Sequence, residues 1–276
     1  MRASAFVAVL LVAVTAGCAR ASVHHAAALS PSLTPSPTPV ATTTARPSAT
    51  RHATASPSRT HTVTPHRVVT TIPPVSAKAR ADGLIDIRTI VPDAIVDMRY
   101  ATSHNFTGVR LYPVDARCLV HQTMAPGLVT AAARLRSEGY RLVCWDCYRP
   151  HAVQVHMFQI VPNPNWVARP GPYARSHEAA RSVDVSLAHA KPVPGCPAAR
   201  LVQQHCLLDM GTGFDDFTPR AYAYATDGVS PQAQANRALL RRAMYAGGIT
   251  VYDGEWWHFD GPGALVGRPQ LDAPVD

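Results

Sequence analysis

Apolar positions divide the chain into two unlike parts. From about Ser30 to Pro74 they show no periodicity, whereas from Asp82 onward they recur at spacings that define helices and strands. Ile85, Ile87, Ile90 and Val91 open the patterned part, and a strand is expected around Ala94–Tyr100. Leu128, Ala131, Ala132 and Leu135 share one helical face, because residues three and four apart stack on the same side, and Gly139 supplies the stop. Arg141-Leu142-Val143-Cys144-Trp145 reads as a buried strand, and Pro150 suits the first turn of a helix running to about Ile160. Ser182–Leu187 predicts another strand. Ser230 followed by Pro231 is an N-cap with proline in the first turn, for a helix that reaches Tyr245 and stops at Gly247-Gly248. Ile249–Asp260 closes the pattern as a strand or hairpin. Helices and strands mix without a regular βαβ rhythm, which argues α+β, and no internal repeat is visible.

The unpatterned part is Ser, Thr, Pro and Ala with scattered Arg and His. Such a stretch buries too little apolar surface to offset its ordering entropy, so residues 18–80 are expected to be a disordered linker. Before it, Arg2, the apolar run Phe6–Val14 and the small residues Thr15-Ala16-Gly17 before Cys18 have the form of an export signal over residues 1–17. Cleavage at Cys18 would leave a lipidated N-terminal cysteine and a membrane anchor; cleavage near Ala21 would leave a secreted chain. The apolar run is too short to span a bilayer. The expected location is the cell envelope.

Charge changes the picture only once it is placed. The net charge of +8 comes entirely from residues 1–81, which hold eight Arg or Lys and no acid; beyond them eighteen basic side chains meet eighteen acidic ones. A nucleic-acid-binding domain carries its basic patch on the folded part, so nucleic acid is set aside. Cysteine usage fits export. Five cysteines follow Cys18, and an oxidising compartment favours bridges between them. Cys118–Cys147 and Cys196–Cys206 are the expected pairs. Cys144 and Cys147 lie three apart in a strand and should face opposite ways, which disfavours a local bridge or shared metal.

Three clusters carry candidate chemistry: Asp146-Cys147-Tyr148-Arg149-Pro150, Ser176-His177 through Asp184, and Glu255-Trp256-Trp257-His258. A catalytic zinc needs three protein ligands and an open position, commonly from imidazole and carboxylate. His177, Asp184 and His258 would supply them, leaving Glu255 as a base and Arg149 as fixed positive charge for an oxyanion. Glu255 and His258 would face opposite sides of a straight strand, so a bend is required there. His151 and His156 fall on a helix, and His104, His121, His189 and His205 in loops; none is expected at the metal.

Taken together these clusters resemble the zinc D-alanyl-D-alanine dipeptidase family. The likeness extends over Asp97–Thr102, Asn105–Gly108, Asp146–Pro150, His177–Asp184, Met210–Asp215 and Glu255–Phe259, in the family's order. It implies one compact zinc-peptidase domain over residues 81–268, with a central antiparallel sheet flanked by helices and a C-terminal tail at 269–276. It also implies one Zn²⁺ per chain on His177, Asp184 and His258, Glu255 as general base, Arg149 as the transition-state arginine and Asp215 on the substrate ammonium. The implied reaction is hydrolysis of D-Ala-D-Ala to D-alanine in cell-wall metabolism. The alternatives are a carboxypeptidase or endopeptidase acting on larger wall peptides, and an inactive wall-binding module. The sequence departs from the family at Arg175, Ala180, Arg181 and Ser182. Ala180 stands where glycine is usual, and a positive φ there would cost about 1 kcal/mol; an arginine turned into the pocket would alter substrate preference.

Overall fold

The computed structural model describes residues 71–276. The expected signal, Cys18 and most of the linker lie outside the described residues. The elements in chain order are α1 (Ala77–Ala81), β1 (Leu84–Asp86), β2 (Ile95–Val96), β3 (Leu119–His121), α2 (Ala125–Ser137), β4 (Tyr140–Asp146), α3 (His151–Ile160), β5 (Ser182–His189), β6 (Leu201–Val202), β7 (His205–Cys206), α4 (Pro231–Ala246), β8 (Thr250–Val251) and β9 (His258–Asp260). No described helix is long and apolar enough to cross a membrane.

Five strands form the central sheet in the order β2-β4-β5-β9-β8. It is mostly antiparallel; the exception is β2, which runs parallel to β4. β4 and β5 lie inside the sheet and are almost wholly buried; β4 carries the apolar run Leu142–Trp145, whereas β5 alternates apolar Val183, Val185 and Leu187 with buried Ser182, Asp184 and Ser186. The expected strand at Ala94–Tyr100 shrinks to Ile95–Val96, because the chain turns into a 3₁₀ segment at Arg99–Ala101. His121, His189 and His205 end or occupy strands rather than loops.

Helices α2 and α4 pack against each other, α2 also on β4 and α4 on β8. The buried stripe of α2 is Leu128, Ala131, Ala132 and Leu135, as its periodicity predicts. Ser230 caps α4, its Oγ accepting from Ala233 N at 3.1 Å. Gly127 and Gly247 are required by close approach: a Cβ built on Gly127 would stand 2.4 Å from the Gly247 carbonyl oxygen.

The packed domain is longer than the pattern implies at both ends. Ala79 of α1 is buried, and so are Ala273 and Val275, beyond the expected limit near Arg268. Arg117 joins the two ends. Its backbone N–H donates to Val275 O, its Nη2 to Pro73 O at 2.7 Å and its Nε to the fully buried Asp86 at 2.8 Å.

Among the described residues two disulfides are formed, Cys118–Cys147 and Cys196–Cys206. The expected separation of Cys144 from Cys147 fails. Register slips between Cys144 and Asp146, a bulge that re-aims the side chains at the strand end. The sulfurs of Cys118, Cys144 and Cys147 therefore lie within 4.8 Å of one another. Cys144 keeps a free thiol, and burial pushes its pKa up to about 12, so it stays protonated and unreactive.

Candidate active site

Strand pairing builds the centre of the site. Asp184 on β5 and His258 on β9 are direct cross-strand partners, so their side chains leave the sheet on one face. His177 arrives from the short 3₁₀ turn Ser176–Ala179. Ala180 ends that turn in the left-handed region, at φ 55° and ψ 27°, and so re-aims the chain into β5. The strain expected of alanine there is present. Arg181, by contrast, points away from the cavity: its Nη1 donates to Thr123 Oγ1 and to Pro262 O.

His177 Nε2 and His258 Nδ1 lie 3.0 Å apart and 3.2 and 3.1 Å from Asp184 Oδ1. The outer nitrogens decide the tautomers. His177 Nδ1 is 2.7 Å from the carbonyl oxygen of Cys147, which can only accept, so Nδ1 carries the proton and the lone pair sits on Nε2. His258 Nε2 faces a carboxylate oxygen of Asp260 at 3.1 Å. Two imidazole nitrogens and a carboxylate oxygen thus converge within 4.8 Å of one another, as buried or nearly buried groups. That donor set fits a tetrahedral divalent cation with one open position. Burial opposes a charge on His258, but hydrogen bonds to Asp184 and Asp260 outweigh it and raise its pKa to about 10. Burial likewise works against ionised Asp184, yet His177 and His258 hold it well below the carboxylate range.

The required bend is found in the β8–β9 connection. Glu255 N donates to Tyr252 O and His258 N to Glu255 O, a tight turn that puts both side chains on the same side. Glu255 Oε2 lies 4.0 Å from His258 Nδ1. Desolvation raises the Glu255 pKa.

Arg149 is held from several directions. Its Nε and Nη2 donate to Asp146 Oδ2 at 3.0 and 2.7 Å, and Nη1 to Gln154 Oε1 at 2.8 Å. Its backbone N–H donates to His177 O at 3.0 Å. Arg149 and His177 are therefore fixed to each other through main chain, and the remaining guanidinium N–H groups stay free. Asp215 sits across the cavity with φ 57°, and Tyr100 OH reaches both of its oxygens at 3.2 and 3.1 Å. Desolvation and the nearby charges of Asp184 and Glu255 hold its pKa well above the usual range. A pocket with this excess of carboxylates is suited to receive cations.

These residues line a cavity of about 400 Å³. A larger one, about 760 Å³, lies beyond Asp215 and Phe106, which border both; it contains none of the converging ligands. Tyr100, Asp146, Gln154 and Asp260 belong to the site and were given no role by sequence reasoning. Asp260 had a usable signal, since two residues from His258 on a strand means the same face. The contact of Tyr100 with Asp215 carried none, because it joins segments remote in sequence; Gln154 lies only five residues from Arg149, but across the turn into α3.

Two histidines and a carboxylate converging in a cavity beside a glutamate have the make-up of a metallopeptidase site. The chain belongs to the D-alanyl-D-alanine dipeptidase family of peptidases: the family model for peptidase M15, D-ala-D-ala dipeptidase, matches residues 80–276. The D-alanyl-D-alanine dipeptidase of Escherichia coli K12 is 33% identical over 181 residues, 66% of this chain and 86% of that protein. That of Streptomyces coelicolor is 32% identical over 203 residues, 65% and 90% respectively. That of Enterococcus faecium is 28% identical over 184 residues, 59% and 83%.

Proposed function

We propose that this chain hydrolyses the dipeptide D-Ala-D-Ala to D-alanine in the metabolism of the cell wall, using zinc held by His177 Nε2, Asp184 and His258 Nδ1. The observation that carries this reading is the pairing of the converging ligand set with Asp215 across a small cavity. Zinc bound there would supply Lewis acidity to a water molecule and to the scissile carbonyl. Glu255 accepts the proton of the attacking water and delivers it to the leaving amine. Arg149 keeps three N–H groups on Asp146 and Gln154 and offers the others to the oxyanion. Asp215, steadied by Tyr100, takes the substrate ammonium and so fixes how much chain precedes the scissile bond.

A second reading is favoured by the larger cavity beyond Asp215, which could accommodate the preceding residues of a longer wall peptide. A carboxypeptidase would use that space. The inactive binding module is disfavoured, since a binder needs neither Glu255 nor Arg149.

For location the proposal is the cell envelope, with a mature chain beginning at Cys18 and a linker holding the domain away from the membrane. The export-type N-terminal sequence supports it, and so do two disulfides, which persist in oxidising compartments. The test of the activity is D-alanine release from D-Ala-D-Ala by the zinc-loaded protein, with loss on chelation and return on adding zinc. No release at any metal load would overturn the proposal.

A further inference from the structure

Asp260 has no part in the chemistry just described, yet it touches the centre of the site. Its Oδ1 lies 3.1 Å from His258 Nε2, the nitrogen turned away from the converging ligand atoms. The same oxygen accepts a hydrogen bond from Ser182 Oγ. Ser182 and Asp260 are direct cross-strand partners on β5 and β9, next along the ladder from Val183 with Phe259 and Asp184 with His258. Ser182 is fully buried, so its hydroxyl has no water to turn to.

We infer that Asp260, locked by Ser182, is a positioning residue that keeps the proton of His258 on Nε2 and thereby presents Nδ1 to the metal. The inference rests on the zinc reading proposed above. A ring nitrogen facing an ionised carboxylate must donate, because the carboxylate can only accept. With Nε2 protonated, the lone pair of a neutral His258 is on Nδ1, the atom that faces Asp184 and His177. His177 obtains the same result from the Cys147 carbonyl. The two ligands are thus oriented by different means, one by main chain and one by a side chain that mutation can remove. Such outer partners raise ligand basicity and fix ring orientation.

Ser182 gives the arrangement its rigidity. Without a second partner the carboxylate of Asp260, on the last residue of β9, could rotate toward solvent. The buried hydroxyl anchors it, and the strand register sets the distance.

The experiment is zinc affinity by chelator competition at one fixed pH, together with the melting temperature of the metal-free protein, on full-length wild type, Asp260→Ala, Asp260→Asn and Ser182→Ala. Asp260→Ala is expected to bind zinc roughly ten- to hundredfold more weakly. Asp260→Asn keeps an oxygen that can accept from Nε2, so it should lose less than the alanine variant, and Ser182→Ala should lose less again. If Asp260→Ala does not fold, the other two variants carry the test through their smaller losses. Unchanged zinc affinity in all three, with or without a lower metal-free melting temperature, overturns the inference. An asparagine variant as weak as the alanine variant also overturns it, since charge and not orientation would then be the cause. The zinc reading fails separately: it is lost if wild type binds no zinc, and the dipeptidase reading is lost if wild type binds zinc but releases no D-alanine.

Discussion

Asp184 and His258 face each other across β5 and β9, with His258 Nδ1 3.1 Å from Asp184 Oδ1. Sheet register brings together two residues more than seventy positions apart, and the turn at Ser176–Ala179 adds His177 to the pair. Everything proposed about chemistry depends on that convergence.

The ligand set predicts a stoichiometric consequence. Asp184→Ala and His258→Ala should each abolish tight zinc binding, measured as zinc retained per chain after dialysis. Folding should survive in the metal-free form, because the disulfides and the core do not depend on the ion. A variant that retains one zinc per chain would remove its residue from the ligand set.

Glu255 should separate binding from turnover. Glu255→Ala is expected to keep its zinc while losing nearly all activity, since the carboxylate moves protons and is not among the converging ligands. Loss of the metal along with activity would instead make Glu255 a ligand.

Asp86 predicts a pH dependence of stability. Burial alone would raise its pKa, but hydrogen bonds from Arg88 and Arg117 outweigh this and hold it below the ordinary value of 3.8. The group therefore contributes stability that is fully present above that ordinary value and is lost as pH falls through the lowered one. Asp86→Asn breaks a buried ion pair and should destabilise by about 3 kcal/mol at neutral pH. The deficit relative to wild type should shrink as pH falls from the ordinary value through the lowered one. A melting-temperature difference that stays constant from neutral to strongly acid pH would contradict the assignment.

The Cys118–Cys147 bridge ties the loop before β3 to the residue whose carbonyl orients His177. Replacing both cysteines with serine should cost about 2–5 kcal/mol, read as a lower melting temperature under non-reducing conditions. An unchanged melting temperature would mean that the bridge constrains nothing.

How much of this was legible beforehand depended on range. Helices α2, α3 and α4 and strands β4 and β5 followed from local periodicity and caps, because Leu128 to Leu135 or Ser230-Pro231 act within a few residues of themselves. The three converging ligands were legible only as motifs in order; their geometry required the register of β5 against β9. Irregular backbone was where local reasoning failed. The bulge after Cys144 overturned a face assignment that a regular strand would have obeyed, and the packing of Ala273 and Val275 hung on a partner, Arg117, far away in sequence. Tyr100 acquired a role through a contact with Asp215 that no local pattern encodes.

Under the proposed function, Asp215 sets dipeptidase specificity by holding a free ammonium. The most direct measurement is kcat/KM of zinc-loaded wild type and Asp215→Ala on D-Ala-D-Ala and on its N-acetylated form. A charge-assisted contact of about 1.5–3 kcal/mol predicts a loss of roughly ten- to hundredfold on the free dipeptide in the variant. Zinc content should be unchanged, and cleavage of the acetylated substrate should be poor in both proteins and little altered by the substitution. Faster cleavage of the acetylated dipeptide than of the free one by wild type would contradict the claim and leave the carboxypeptidase reading in its place.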